Sequence, residues 1–505
     1  MNTDTTWQAN GGDWRLGLPH TVDRSSLPVC TGAIRYDSRR VRTGDVFVCI
    51  PGVRTDGHNY AVQADQAGAI AIVASRDQLV TLPKFRSPIV GVSNPRRSLS
   101  TLAAAHEGFP AQRLVTIGVT GTDGKTTTAH ILADILRFAG YRVGLVSTVS
   151  WEIDGHPLVR QSCLTTPESP EIHRVLAEMV RAGCTHAIIE CSSHGLALDR
   201  VSDCCFDGAI LTSLSADHLD FHRDRQAYID AKMRLFKYVA RHSKGWAVVN
   251  RGSEVFPILF ETVEGRGFSY GVCVPQADIE ARNPRTTLHG SAFELCHGSN
   301  TREIVLRMPG RFNIENALAA YCASQKLGVD NIASVEALKQ FSGVRGRMQS
   351  ISGAPFRVIV DYAHTPEAMT LAIATIREHI SGRLIVVFGC PGERWRERRK
   401  GLAAAVACLA DFAIVTDDDP RSESSSAIIE DIADELRKAG AKERIFFELC
   451  PSREAAIDRA FALAAIGDAV LLAGKGHEAT IEYADRREPW DEAAVAQRLL
   501  AMRFG

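Results

Sequence analysis

Residues 114–128, LVTIGVTGTDGKTTT, decide the fold of this chain. The first part, Leu114 to Thr120, is mostly apolar and β-branched, which predicts a buried strand. A turn from Gly121 to Thr126 then leads into a helical run from Thr127 to Phe138. At such a junction backbone N–H groups and the helix dipole converge, and glycines let an anion approach the backbone. The stretch therefore predicts a phosphate-binding loop.

This loop is a shorter variant of the usual pattern, which has glycine where this chain has Val119. Lys125 is placed to reach the terminal phosphates of ATP, and the hydroxyl of Thr126 is placed to bind Mg²⁺. A plain glycine turn between a strand and a helix is the alternative, but the order of Gly, Lys and Thr favours ATP. The residues expected to contact the nucleotide here are Gly121, Thr122, Asp123, Gly124, Lys125, Thr126 and Thr127.

Length, charge and cysteine usage limit the class of protein. The chain has 505 residues, which is enough for about three domains. Its net charge of -1 gives no reason to expect nucleic acid or an anionic membrane surface as a partner. The 13 cysteines lack CxxC pairs, which favours free thiols over a zinc site. No signal peptide and no apolar run of ~18 residues stand out, so a cytoplasmic protein without membrane insertion is expected.

The strand and helix patterns predict an α/β protein of three domains. Residues 1–112 form a small N-terminal α/β domain, and residues 113–342 form a central ATP-binding domain with a mostly parallel sheet. Residues 343–505 form a doubly wound, Rossmann-like domain. This last domain lacks GxGxxG, so a nicotinamide site is not favoured. Its strand-end loops carry both charge signs, which suits a zwitterionic ligand such as an amino acid.

Polar residues follow two predicted strands of the central domain. Residues 185–189 run into Glu190, and residues 208–212 lead towards His218. Because the carboxyl ends of parallel strands line the ligand crevice, both side chains are expected beside the phosphate loop. A carboxylate and an imidazole there suit Mg²⁺ bridged to ATP oxygens. The alternative is that Glu190 caps a helix and that His218 is an ordinary polar residue.

An ordered series of short blocks resembles the Mur ligase family over nearly the whole chain. The blocks are DSRRVRTGDVFVCIPG, DGHNY, GTDGKTTT, TTPES, ECSSHGL, DHLDFH, AKMRLF, PGRFNIENALAA, GVRGRM, DYAHTPEAM, GCPGER, DDDPR and GKGHE. Each block is weakly informative alone, but the ordered set is highly specific. Folate-type polyglutamate ligases share the central motifs and are not expected to have the DSR, DGH or DDPR-like blocks. The resemblance is strongest to members that add the third residue of the peptidoglycan stem peptide.

The resemblance implies an ATP- and Mg²⁺-dependent amide ligase of peptidoglycan precursor biosynthesis, and hence a role in cell shape and division. ATP would phosphorylate the carboxylate of UDP-N-acetylmuramoyl-L-alanyl-D-glutamate, and the amine of a diamino acid would displace phosphate. A monomer is expected. Two alternatives stay open: a related ligase with another amino acid or acceptor, and a nucleotide-binding relative without activity.

The resemblance also implies catalytic roles. Lys125 would neutralise charge on the phosphoryl group, Thr126 and Glu190 would hold one Mg²⁺, and His218 would help to hold a second. Lys232 lies on an amphipathic helix, and its composition alone predicts a solvated lysine. The resemblance instead implies that Lys232 is carbamylated, which would turn a cation into an oxygen ligand for the metal.

Further positions match the substrate sites of the family. Three of these positions match the adenine and ribose site, and two of the three, Arg347 and Asp361, lie beyond the predicted boundary at residue 342. The last domain is therefore expected to close over ATP and exclude water. The matching residues are Asn316, Arg347 and Asp361 for adenine and ribose, Ser38 and His58 for the uridine end, Thr165, Thr166, Ser193 and Arg200 for the muramoyl dipeptide, and Arg394, Asp417, Asp418, Asp419, Pro420, Arg421, Gly474 and Glu478 for the incoming amino acid.

One departure from the family pattern leaves the amino acid open. The usual Asp-Asn-Pro-Arg loop for meso-diaminopimelate is here Asp418-Asp419-Pro420-Arg421. Arg421 suits a distal carboxylate through a bidentate pair. The added acid at Asp419 favours a purely cationic end, such as that of lysine or ornithine. Pro391, Glu393, Trp395 and Ser213 also replace usual residues, although none of these changes removes a catalytic group.

Overall fold

The computed structural model describes residues 12–52, 55–159, 164–215, 217–393 and 396–505. These residues form three α/β domains, each built around its own sheet. The fold class predicted from the sequence is confirmed. Among the described helices, none combines the length and the apolar character that a membrane crossing requires.

The N-terminal sheet has four parallel strands that lie side by side in chain order. The strands are β1 (Ile34–Arg35), β2 (Val46–Val48), β3 (Ala71–Ser75) and β4 (Ile89–Val92), and the helices are α1 (Ala61–Gln66) and α2 (Pro95–His106). Short 3-10 turns lie at Trp14–Gly17, Ser38–Arg40, Gly57–Tyr60, Arg76–Gln78 and Pro110–Arg113. Helix α2 starts sharply because the Asn94 side chain accepts the Arg97 N–H and Pro95 occupies the first turn.

The central sheet has eleven strands. They are β5 (Val115–Thr120), β6 (Val143–Val146), β7 (Trp151–Ile153), β8 (His156–Leu158), β9 (His186–Glu190), β10 (Gly208–Leu211), β11 (Trp246–Asn250), β12 (Gly267–Val272), β13 (Ile279–Thr287), β14 (Gly290–His297) and β15 (Asn300–Leu306). Their order is β15-β14-β13-β12-β11-β10-β5-β9-β6-β7-β8. The antiparallel strands β13 to β15 form one edge of the sheet.

Helices cover both faces of the central sheet, so its inner strands are apolar on both sides. The helices are α3 (Lys125–Phe138), α4 (Ser169–Arg181), α5 (Ser193–Ala197), α6 (Leu219–His222), α7 (Arg225–Ala240), α8 (Phe256–Thr262), α9 (Arg311–Lys326) and α10 (Asn331–Gln340). Helices α3, α9 and α10 pack into one core, and α4, α7 and α8 pack into the other.

Strand β5 lies between β9 and β10, and this order creates the site. Val119 pairs with Glu190 on one side, and Thr120 pairs with Leu211 on the other. All three strands are parallel, so their carboxyl ends meet at one edge of the sheet. The phosphate loop, Glu190 and the segment leading to His218 therefore leave the sheet side by side, as the sequence predicts.

The C-terminal domain has a six-stranded sheet and a separate two-stranded hairpin. The strands are β16 (Gln349–Ile351), β17 (Arg357–Asp361), β18 (Leu384–Phe388), β19 (Phe412–Val415), β20 (Phe447–Leu449), β21 (Ala469–Ala473), β22 (Thr480–Glu482) and β23 (Arg487–Pro489). The helices are α11 (Pro366–Arg377), α12 (Glu397–Leu409), α13 (Ser425–Lys438), α14 (Arg453–Leu463) and α15 (Glu492–Phe504). The sheet order is β16-β17-β21-β18-β19-β20, with β16 antiparallel to its neighbour and the other pairs parallel.

A fully buried ion pair fixes the loops of this domain. The guanidinium of Arg453 bonds Glu492, with 2.7 Å between Nη2 and Oε1. The same guanidinium donates to the carbonyl oxygens of Asp417 (3.1 Å) and Ala473 (2.7 Å). It thus ties α14 and α15 to the chain that follows β19 and β21.

We expect Glu492→Ala to lower the free energy of unfolding by about 3–5 kcal/mol, because it leaves a buried guanidinium without its counter-charge. Urea unfolding of the full chain, followed by circular dichroism, measures the change. Glu454→Ala is the matched control, since Glu454 pairs with Arg498 at the surface and should give a change too small to resolve. Equal changes in the two variants would contradict the prediction.

Candidate active site

The phosphate loop has the predicted strand–turn–helix geometry. Strand β5 ends at Thr120, and α3 begins at Lys125, two residues before the predicted start. Gly121 (φ 150°) and Gly124 (φ 84°) both have positive φ. A Cβ at Gly124 would overlap the side-chain oxygen of Asn316. The turn therefore needs glycine there, and the first N–H groups of α3 stay open to an anion.

Residues at the end of β10 hold the loop in shape. The Asp123 N–H donates to Ser213 Oγ (2.8 Å), and the Thr122 N–H donates to the Ser213 carbonyl oxygen (2.9 Å). Thr212 Oγ1 donates to the Asp123 carbonyl oxygen (2.6 Å). Ser213, which departs from the family pattern, thus accepts two hydrogen bonds that hold the loop in place.

Two lysines converge on one carbonyl oxygen of the loop. Lys125 Nζ donates to the carbonyl oxygens of Gly121 (3.1 Å) and Thr122 (2.7 Å), and Lys232 Nζ donates to Gly121 (2.7 Å). Lys232 is only 3% exposed, so the composition-based expectation of a solvated lysine is wrong. Burial and the nearby Lys125 charge hold the pKa of Lys232 well below its usual value.

Glu190 is fully buried at the end of β9. Its carboxylate accepts the Thr148 N–H (3.2 Å) and the Thr148 hydroxyl (2.7 Å). Its carbonyl oxygen accepts the Thr166 hydroxyl (2.8 Å). Ser192, and not Glu190, caps the short helix α5. The contacts with Thr148 orient the carboxylate next to the phosphate loop.

His218 is joined to the C-terminal domain through Asp217. Its Nε2 lies 3.2 Å from one oxygen of Asp217, and Arg398 Nη2 from α12 lies 2.9 Å from the other. Burial lowers the pKa of His218, which favours the neutral ring that a metal ion binds. The position of His218 therefore depends on contact between the two domains.

Six of the ten residues predicted for the nucleotide line one pocket between the central and C-terminal domains. Its volume is about 220 Å³. Arg347 Nη2 donates to Thr126 Oγ1 (3.2 Å), and its guanidinium lies 4.5 Å from the centre of the Tyr362 ring. Asp361 Oδ2 accepts the Met348 N–H (2.6 Å). The lining includes these predicted residues: Asp123, Gly124, Thr127, Asn316, Arg347 and Asp361.

A second group of predicted residues lies around the end of β9. The hydroxyl of Thr166 accepts the Ser192 N–H (2.8 Å), and its carbonyl oxygen accepts Arg200 Nη1 (3.0 Å). Within the described residues, Ser193 Oγ is buried without a hydrogen-bond partner. Thr165 lies next to them and is half-buried. Ser193 and Arg200 follow β9, and the Thr166 hydroxyl contacts the Glu190 carbonyl oxygen at the end of that strand, so this group lies at the phosphate-loop edge of the sheet.

The two residues predicted for the uridine end are buried in the N-terminal domain. Ser38 Oγ donates to Gln63 Oε1 (2.9 Å). The His58 ring contacts Asp56 through Nδ1 (2.5 Å) and accepts the Ser75 N–H at Nε2 (3.0 Å). Both ring nitrogens are thus engaged within the domain. A groove of about 700 Å³ runs beside the segment that holds Ser38, between this domain and α4.

The predicted amino-acid pocket contains a buried lysine. Lys475 Nζ lies 2.8 Å from Asp419 Oδ1, 2.5 Å from Glu478 Oε2 and 3.7 Å from Asp418 Oδ1. Burial opposes the charge of Lys475, but the three carboxylates outweigh it and raise its pKa. Asp418, Asp419 and Glu478 are close enough together to suggest a metal site, and the ammonium of Lys475 lies among them and offsets one of their charges.

Arg421 and Gly474 border the same pocket. Arg421 has a left-handed backbone (φ 56°), and its N–H donates to the Glu482 carbonyl oxygen (2.9 Å). Gly474 also has positive φ, and a Cβ there would lie 2.7 Å from Asp418 Oδ2. Pro420 is buried between the acidic residues and Arg421. The predicted pocket residue Arg394 lies outside the described residues.

Comparison with known proteins agrees with this geometry. Family models described as the Mur ligase family catalytic domain, the Mur ligase middle domain and the Mur ligase glutamate ligase domain match residues 32–107, 119–324 and 346–476. A relative from Roseiflexus sp. (strain RS-1), named UDP-N-acetylmuramyl-tripeptide synthetase, is 39% identical over 503 residues, covering 96% of this chain and 98% of the relative. The chain belongs to the Mur ligase family. It is therefore an ATP-dependent ligase that forms amide bonds.

Other Mur ligases are similar along their full length. One from Geobacillus thermodenitrificans (strain NG80-2), named UDP-N-acetylmuramoyl-L-alanyl-D-glutamate--2,6-diaminopimelate ligase, is 38% identical and covers 93% of this chain and 95% of its own. A solved structure with that same name has a TM-score of 0.64 at 27% identity, covering 97% of this chain and 99% of the other. The resemblance inferred from the sequence blocks is confirmed.

Sequence reasoning missed several residues of this Mur ligase site. Lys475 stands inside the quoted GKGHE block, three residues before Glu478, and received no role. Its position between two acidic segments of the sequence could have indicated an internal ion pair. Thr148 and Arg398 carried no signal, because each acts on a residue far away in the sequence.

Proposed function

We propose that this Mur ligase joins 2,6-diaminopimelate to UDP-N-acetylmuramoyl-L-alanyl-D-glutamate, as a step in peptidoglycan precursor biosynthesis. The relative from Geobacillus thermodenitrificans and the solved structure above both carry this activity in their names. The tripeptide synthetase from Roseiflexus is named for the corresponding product.

The ion pair between Lys475 and Asp419 is the observation that favours diaminopimelate as the amino acid. In the sequence, Arg421 favours an amino acid with a distal carboxylate, whereas Asp419 favours an amino acid with a cationic end. Because the fully buried Lys475 ammonium lies 2.8 Å from Asp419, this acid has an internal counter-ion and does not by itself require a cationic ligand. Arg421 then remains as the group of the loop that recognises a second carboxylate.

We assign Mg²⁺ to Thr126, Glu190 and His218. The hydroxyl and the carboxylate are hard oxygen ligands, which suit this ion. Bound Mg²⁺ would neutralise charge on the phosphates of ATP. Lys232 would join this donor set once carbamylated, because the modification turns its amine into an oxygen ligand. The burial and lowered pKa of Lys232 support this modification, because a neutral amine is the form that reacts with CO₂.

The chain's own residues position the nucleotide and protect the reaction from water. We assign Lys125 and the loop from Gly121 to Thr127 to the phosphates, and Asn316, Arg347 and Asp361 to the adenosine. The last two come from the C-terminal domain, so closing this domain both completes the site and excludes water, which would hydrolyse an acyl phosphate.

The remaining assignments follow the family pattern. Because both ring nitrogens of His58 are engaged, we propose that it shapes the uridine site by fixing the backbone. Ser38 and His58 are assigned to the uridine end, Thr165, Thr166, Ser193 and Arg200 to the dipeptide, and Arg394, Asp417, Asp418, Asp419, Pro420, Arg421, Gly474 and Glu478 to the amino acid. We also propose a cytoplasmic monomer with domains at residues 1–112, 113–342 and 343–505, a division supported by the three separate sheets.

Phosphate release with ATP, Mg²⁺ and the UDP-dipeptide, varying only the amino acid, tests the proposal. We expect meso-diaminopimelate to be preferred over L-lysine and L-ornithine, because Arg421 pairs with the distal carboxylate. Omitting each substrate in turn is the control, since release must require all three. Preference for lysine or ornithine would overturn the assignment of Arg421, and no release with any of them would indicate another acceptor or an inactive relative.

A further inference from the structure

We propose that Glu482 is a specificity-determining residue, a carboxylate of the chain that occupies Arg421 until the amino acid arrives. This inference rests on the proposed function, because it concerns how Arg421 receives the distal carboxylate. Strand β22, which holds Glu482, carries no family block and received no role from the sequence.

Backbone contacts fix Glu482 beside the pocket. Its N–H donates to Asp419 Oδ1 (2.9 Å), and its carbonyl oxygen accepts the Arg421 N–H (2.9 Å). These two bonds join β22 to both ends of the Asp419-Pro420-Arg421 segment. Arg421, held in a left-handed conformation, therefore presents its side chain next to that of Glu482.

The contact between the two side chains is an ion pair without a hydrogen bond. Arg421 Nε lies 3.4 Å from Glu482 Oε2. Within the described residues, this buried Nε has no hydrogen-bond partner. The other oxygen of Glu482 pairs with Arg487 on β23. The guanidinium of Arg421 is thus compensated in charge, while its Nε donor stays unused among the residues that the structure describes.

A carboxylate ligand offers Arg421 what Glu482 does not. Two parallel N–H···O bonds to a planar carboxylate would satisfy the fork of the guanidinium. The side chains of Arg421 and Glu482 are 25% and 22% exposed, so their charges are only partly screened. An incoming distal carboxylate must therefore overcome repulsion from Glu482. An amino acid without that carboxylate leaves the Arg421–Glu482 pair intact.

The two ligand classes should respond to Glu482→Gln in opposite directions. We expect the KM for meso-diaminopimelate to fall roughly two- to fivefold, because the competing charge is gone. The KM for L-lysine should rise, because the uncompensated Arg421 repels its cationic end. The kcat for diaminopimelate should stay unchanged. Asp485→Asn is the matched control, a charge-removing change at an exposed turn of the same hairpin, and should move neither KM.

A second variant should change the KM for diaminopimelate in the opposite direction. Arg487→Gln releases the other oxygen of Glu482 towards Arg421, so the KM for diaminopimelate should rise. Arg487 is well exposed, so this variant should fold normally. Shifts of both KM values in one direction, or no shift in either variant, would overturn the role of Glu482.

Direct titration of the amino acid into the full-length protein without ATP separates this inference from the proposed function. Tighter binding of diaminopimelate to Glu482→Gln than to the wild type supports the role of Glu482, whether or not turnover occurs. Equal affinities would overturn it. A wild-type enzyme that binds diaminopimelate but releases no phosphate would overturn the proposed function alone.

Discussion

Replacing Lys125 with alanine is expected to lower turnover by about 10³-fold or more, because it removes the ammonium that would neutralise a transferred phosphoryl group. The ammonium donates to the Gly121 and Thr122 carbonyl oxygens of its own loop. The hydrogen bonds between Ser213 and the loop do not involve this ammonium, so we expect the loop to keep its shape. Phosphate release in the complete reaction measures the loss.

Binding of the UDP-dipeptide should change little in the same variant. The residues assigned to this substrate lie in the N-terminal domain, in the segment before α4 and after β9, whereas the Lys125 ammonium contacts its own loop. Isothermal titration of the UDP-dipeptide measures this affinity. Lys339→Ala, on the surface of the central domain, is the control and should leave both quantities unchanged. Equal loss of turnover and of UDP-dipeptide binding would contradict the assignment of Lys125.

Lys232→Ala is expected to lower activity on the order of 10²-fold or more, because a metal ligand would be lost. Lys232 is buried beside the phosphate loop, and burial together with the nearby Lys125 charge lowers its pKa, which favours the neutral amine. Added bicarbonate should not restore the variant, since alanine has no amine to modify. Phosphate release with and without bicarbonate measures both effects.

A label distinguishes modification from a merely structural role of Lys232. Wild-type protein in ¹³C-bicarbonate should show a carbamate carbon by NMR, and Lys232→Ala should lack it. Lys237→Ala is the matched control, since Lys237 is exposed on the same helix α7 and should keep both the signal and the activity. A fully active Lys232→Ala enzyme would rule out the metal-ligand role.

The geometry around the phosphate loop was predictable because its parts are local in sequence. The loop from Gly121 to Thr126 forms within one strand, turn and helix, so its geometry follows from short-range pattern. Glu190 and His218 were placed by a general rule, since polar residues after neighbouring parallel strands meet at one edge. The observed order β10-β5-β9 agrees with that rule.

The charge balance of the amino-acid half could not be predicted. Asp419 and Lys475 are 56 residues apart, and Asp217 and Arg398 are 181 residues apart. Residue types alone do not show which distant charges pair with each other, so the sequence predicted Asp419 to be an acid without a counter-ion. Lys232 was misjudged for the same reason, because its burial depends on how α7 packs against the loop.

Two arginines reach from the C-terminal domain to the nucleotide half, Arg347 to Thr126 and Arg398 to Asp217. They connect the module to which we assign activation of the carboxylate with the module to which we assign selection of the amine. A gene that exchanged its last third with that of a relative would then keep the phosphate loop and acquire a new amino-acid pocket. We expect such hybrids to work only where both arginines, or equivalents of them, are retained.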